Sequence, residues 1–79
     1  MSLEKQLQLF SRVDHLIKRK ATGDTETLAK RLNISTRSVF RIIKEMREEL
    51  EADIEYCPHA QSYIYKTKFS FKEKILEKI

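Results

Sequence analysis

TLAKRLNISTRSVFRIIK, residues 27–44, is the stretch on which the fold turns. Two helices that cross steeply over a turn of three or four residues make strict local demands. The first helix needs an apolar residue, then a small one where the two backbones nearly touch. Its end needs an apolar residue, a residue tolerant of the left-handed conformation, and an apolar plug in the turn. The second helix needs two apolar positions facing back. Leu28, Ala29, Leu32, Asn33, Ile34, Val39 and Ile42 fill those roles in that order. Asn33 stands where glycine is common, and asparagine is the usual substitute there. Asp24 is a good N-cap for a helix from Thr25 to Leu32. Ser35 caps the next, which reaches about Leu50 with Val39, Ile42, Ile43, Met46 and Leu50 on its apolar side. The reading is a helix-turn-helix over residues 25–50.

Working outward, Leu3, Leu7, Phe10, Val13 and Ile17 recur at steps of three and four, with Leu9 and Leu16 widening the face. That predicts a long first helix over about residues 2–20, with Ser2 as N-cap and Lys18, Arg19 and Lys20 at its negative end. Beyond Leu50 the apolar period changes to two. Residues 54–57 and 62–66 flank Pro58-His59-Ala60-Gln61, which predicts a β-hairpin over 54–66 with Ile54, Tyr56, Tyr63 and Tyr65 on its packed face. A short third strand is expected near Ala21 or Thr22. The tail, 67–79, carries Phe71, Ile75, Leu76 and Ile79, which fits a last helix capped by Ser70. The expected fold class is mainly α (α+β): a three-helix core, a two-stranded wing and a short C-terminal tail helix in one domain, residues 1–79.

Composition agrees and narrows the function classes. At 79 residues with 41% apolar and 35% charged side chains, the chain is long enough for one domain only. One glycine and one proline are too few to punctuate a sandwich or barrel, and one glycine cannot build a phosphate-cradling loop. Sixteen Lys and Arg against twelve Asp and Glu leave a net charge of +4, which suits a polyanion. The lone Cys57 cannot form an internal disulfide, and no long apolar run suggests a membrane span. The expectation is a reduced, cytoplasmic protein with no membrane partner.

The second helix of the pair shows where a partner would dock. At about 100° per residue, Arg37, Arg41 and Lys44 lie within roughly 30° of the line opposite its apolar stripe. Farther along come Glu48, Glu49, Glu51, Asp53 and Glu55. The exposed ridge is basic first and acidic later, the polarity expected if its N-terminal half enters the major groove of DNA. Arg37 and Arg41 are candidates for guanine, whose O6 and N7 accept bidentately from arginine. Thr36 and Ser38 are placed for base edges or phosphate, and Lys44 for phosphate. Phe40, on the flank, suits either a thymine methyl or sugar or packing against the wing.

Leu28-Ala29-Lys30-Arg31-Leu32-Asn33-Ile34-Ser35, Arg37-Ser38-Val39-Phe40-Arg41-Ile42-Ile43 and Ile54-Glu55-Tyr56, with Tyr63 closing the hairpin, resemble the winged helix-turn-helix at the N-terminus of WYL-type bacterial transcriptional regulators. The resemblance covers most of residues 7–66. It implies a DNA-binding transcription factor module, usually dimeric, in which Ser35, Thr36, Arg37, Phe40 and Arg41 face DNA. The chain departs from the family at the wing, usually glycine-rich, where it has Pro58-His59-Ala60-Gln61 and only His59 to offer near the tip. Nor does a ligand-sensing domain follow residue 79, so the expectation is a stand-alone module or a piece of a longer regulator.

Other residues read more plainly. His15, His59 and Cys57 share no metal-ligand spacing, so no metal or other cofactor is expected. The tyrosines of the hairpin could stack on single-stranded bases, but a period-two row beneath a wing reads as core. No nucleophile, base and orienting group cluster, which argues against an enzyme. Surplus apolar residues (Leu3, Leu7, Leu9 and Phe10 in the first helix, Phe69, Phe71, Ile75, Leu76 and Ile79 in the tail) predict a homodimer. The reading is therefore a sequence-specific binder of double-stranded DNA acting in transcription, through Ser35, Thr36, Arg37, Ser38, Phe40, Arg41 and Lys44. The rivals are a winged-helix protein-interaction or assembly module, favoured by the acidic run after Glu48, and, more weakly, an RNA binder.

Overall fold

Helix α1, Leu3–Lys18, turns Phe10, Val13 and Ile17 inward, and Leu9 and Leu16 pack against the edge of the core they form. The structure is a computed structural model that describes residues 3–78, so Ser2 as N-cap and Ile79 lie outside the described residues. α1 ends two residues before the expected Lys20. Lys20 takes the left-handed conformation (φ +54°), its N–H donates to the Ile17 carbonyl, and Ala21 N–H donates to that of Leu16. This double closure satisfies orphan carbonyls of the last turn, and a lysine performs it where glycine is usual.

The linker to the next helix holds the only glycine of the chain. Gly23 has φ +70°, and a Cβ there would stand 2.5 Å from Thr27 Cγ2. Helix α2, Thr25–Leu32, then starts on Asp24, whose side chain accepts from Thr27 N–H at 2.8 Å. That bond and the nearby Lys30 hold the Asp24 carboxyl below its ordinary pKa. Asn33 ends α2 in the left-handed conformation, φ 56° and ψ 47°, as its place in the turn demands. Helix α3, Thr36–Glu49, begins on Ser35, whose Oγ accepts from Ser38 N–H at 3.1 Å. Leu28, Ala29 and Leu32 of α2 and Val39, Ile42, Ile43 and Met46 of α3 are all buried, so the two helices close on the residues the turn rules single out.

Strands β1, Ile54–Cys57, and β2, Ser62–Tyr65, pair antiparallel with Ile54 opposite Tyr65 and Tyr56 opposite Tyr63. These four share one face, and the Tyr56 and Tyr63 rings meet edge-on at 5.2 Å. Lys66, expected at the end of β2, lies beyond the strand, although its N–H still donates to the Asp53 carbonyl at 2.7 Å. Among the described residues no third strand forms at Ala21 or Thr22. Side chains take its place: Tyr63 N–H donates to Thr22 Oγ1 at 2.8 Å, Thr22 N–H to Ser62 Oγ at 3.2 Å, and the two hydroxyls lie 3.0 Å apart. Both residues are fully buried. A hydroxyl that reaches across substitutes for one rung of a ladder, and among the described residues no buried side-chain polar atom is left unpaired.

Helix α4, Phe71–Lys78, starts on Ser70, whose Oγ accepts from Glu73 N–H at 3.3 Å. None of its residues is fully buried, but Phe71 and Ile75, with Phe69 before them, rest against the core. Much of the apolar surplus read from the sequence is thus used within the chain. Among the described residues the large apolar side chains left exposed are Leu3, Phe40 and Leu76. Four helices and one antiparallel hairpin, in the order α1-α2-α3-β1-β2-α4, make a mainly helical, winged-helix-like layout.

Candidate functional site

The outward face of α3 brings together the basic residues singled out by sequence. Arg37, Arg41 and Lys44 are all exposed, and the first turn of the helix contains no acidic residue. Arg37, Ser38 and Arg41 line an open depression of about 300 Å³. Thr36 is exposed at the first helical position, where backbone N–H groups lack intrahelical partners. Ser35 and Ser38 are less free. The Ser35 hydroxyl caps the helix and donates to Ser38 Oγ at 3.1 Å, so the two side chains serve each other. Phe40 is 60% exposed, which settles its orientation: the ring stands in solvent beside the ridge and is not packed under the wing.

The ridge is held firmly from behind. The stripe opposite it, from Val39 to Met46, is at most 3% exposed. Arg47, given no role by the sequence reading, donates from Nε and Nη2 to the Ile54 carbonyl at 3.0 and 2.7 Å, and so ties α3 to the first residue of the wing. Arg12 of α1 donates to the Arg31 carbonyl at 3.1 Å, in the last turn of α2, where carbonyls lack helical partners. Neither contact is readable from spacing alone, because each partner is a backbone atom on another element.

The acidic half of the ridge differs from its sequence appearance. Glu51 is bonded to Lys74 of α4 at 3.1 Å, and Glu55 lies 3.8 Å from Lys66. The Lys74 contact lowers the pKa of Glu51, and the same contact raises that of Lys74. Lys66 and Lys74 therefore offset part of the negative run. Acid also reaches into the basic half: Glu45 Oε1 lies 3.7 Å from Arg41 Nε, an i,i+4 pair visible in the sequence but not weighed there.

At the wing, Pro58 and His59 are exposed at the tip, and Gln61 takes φ +52° to close the turn onto the Pro58 carbonyl. Cys57 is a free, half-buried thiol whose sulfur accepts from Ala60 N–H at 3.4 Å. Among the described residues no group of three or more His, Cys, Asp or Glu side chains is placed to hold a metal ion. No helix among them is long and apolar enough to cross a membrane. No protein-family model, curated protein or solved structure matches the chain. What can be said of its function rests on the geometry of this face and the motifs that form it.

Proposed function

We propose that the chain is a sequence-specific binder of double-stranded DNA that regulates transcription in the bacterial cytoplasm, with α3 as the recognition helix. The observation that carries this reading is the charge order on α3: exposed cations at Arg37, Arg41 and Lys44, ahead of its exposed acids, and no acid in its first turn. The major groove is about 12 Å wide and admits a helix, and recognition helices enter it by their N-terminal residues. Arg37 and Arg41 bond guanine O6 and N7, while Lys44 meets phosphate. Ser35 and Thr36 sit at a helix N-terminus, which favours phosphate oxygens, and Ser38 borders the same groove. Phe40 supplies apolar contact to a thymine methyl. The resemblance of residues 28–43 and of the hairpin to WYL-type regulators supports the same face.

The chain acts as a homodimer in this reading, which sets two recognition helices on half-sites about one helical turn apart. Among the described residues, exposed Leu3 and Leu76 are available for that contact. A selection from a random duplex library at physiological salt tests the reading. The expected result is enrichment of one short motif with guanine at two positions. Recovery of unselected sequence would contradict it and favour a protein-interaction module built on the same layout.

A further inference from the structure

Arg41 is tied to a second helix through a carboxylate. Its Nε faces Glu45 Oε1 at 3.7 Å, and the other oxygen, Glu45 Oε2, accepts a hydrogen bond from Gln6 Nε2 of α1 at 2.8 Å. Gln6 and Glu45 are 39 positions apart, so this is a tertiary bond and not a helical neighbour effect. We infer that Glu45, anchored by Gln6, is a positioning residue that commits Arg41 to reading guanine; the inference rests on the DNA-binding reading above.

Alone, the ion pair would do little. Exposed i,i+4 pairs contribute little, and arginine before glutamate is the less favourable order. The bond from α1 changes that, because a carboxylate fixed at one oxygen cannot follow a swinging guanidinium with the other. The pairing uses Nε and leaves the two terminal amino groups on a side chain that stays 55% exposed. That fork matches the two acceptors of guanine, O6 and N7. Adenine offers N7 beside an N6 donor, which the fork cannot satisfy. A less restrained arginine also samples N7 alone or a phosphate. A held one discriminates more sharply.

The carboxylate has an opposite effect on affinity for any DNA, since it adds negative charge beside the ridge that meets phosphates. Its removal therefore has two signatures of contrary sign: weaker base preference and stronger non-specific binding. A carboxylate that only stabilised α3 would give the second, through its charge alone, but not the first. The test is duplex selection followed by competition binding at fixed salt, on variants that melt as the parent does. Arg41→Ala should erase guanine preference at one base pair. Glu45→Ala should relax that same base pair about fivefold or more, the lower end of what a bidentate arginine–guanine pair is worth, and bind unrelated duplex more tightly. Gln6→Ala leaves the net charge untouched, so it should relax the base pair without tightening non-specific binding. Glu45→Gln keeps an oxygen for Arg41 Nε and should retain part of the preference. Guanine preference lost in Arg41→Ala but unchanged or sharpened in Glu45→Ala would overturn the positioning role. A parent that enriches no motif would instead sink the DNA-binding reading itself, and the role of Glu45 with it.

Discussion

Tyr65 donates to Asp14 Oδ1 at 2.6 Å and lies against the Phe69 ring at 4.7 Å, so a single phenol joins α1, the wing and the approach to α4. Asp14 is only 8% exposed, and Lys18 stands 3.6 Å from its other oxygen. Burial first, then the bond and charge of Asp14, push the Tyr65 pKa well above its ordinary value. Folding thus favours the neutral phenol. Its stabilising effect is whole below the pKa of an unfolded tyrosine, about 10, and is lost as pH rises from there towards the folded value. Tyr65→Phe should melt at a lower temperature than the parent at neutral pH, having lost the bond. Above about pH 10 its melting temperature should fall less steeply, because the phenol at position 65 is no longer there to ionise. Parallel alkaline limbs in a melting series would contradict this assignment. At the same scale, the ends of α2 and the start of α3 were legible in advance: Asp24, Asn33 and Ser35 act on backbone groups within a few residues. Lys20 was not, since nothing in Lys18-Arg19-Lys20-Ala21 marks one residue as left-handed.

The crossing of α2 and α3 depends on Ala29, 5% exposed where the helices approach each other. Any larger side chain must displace one helix or adopt a strained rotamer. Ala29→Leu should cost about 1–3 kcal/mol, read as a lower midpoint in thermal or denaturant unfolding. An unchanged midpoint would argue that the helices cross elsewhere. The hairpin was equally legible as an element, because its apolar period and the Pro58–Gln61 turn are local features. Its attachment was not. Thr22 with Ser62, Tyr65 with Asp14 and Arg47 with the Ile54 carbonyl join different elements, the first two across 40 and 51 positions. Periodicity says which residues face inward, and it is silent on which polar partners meet there. For the same reason the basic ridge could be read from helical spacing, whereas the Gln6–Glu45–Arg41 chain behind it could not.

At the scale of the whole molecule, the apolar excess that suggested a homodimer shrinks once Phe69, Phe71 and Ile75 lie on their own core. Among the described residues of that set, Leu3 and Leu76 remain 72% and 63% exposed. If they form the two-fold contact, sedimentation at tens of micromolar should show a dimer, and Leu3→Glu with Leu76→Glu should return it to a monomer of unchanged helicity. A parent that sediments only as a monomer would remove the dimer in free solution. The central claim is narrower: the outward face of α3 reads DNA. Arg37, Arg41 and Lys44 are exposed, so alanine at each should leave stability within about 0.5 kcal/mol of the parent. The decisive measurement is a binding titration of these three variants against the selected duplex and an unrelated one, repeated over a range of salt. Arg37→Ala and Arg41→Ala should each lose about 1–3 kcal/mol on the selected duplex and relax one base position. Lys44→Ala should weaken both duplexes alike and lower the salt slope by about one. If all three variants bind both duplexes as the parent does, the ridge is a solvated helix face and the account is wrong.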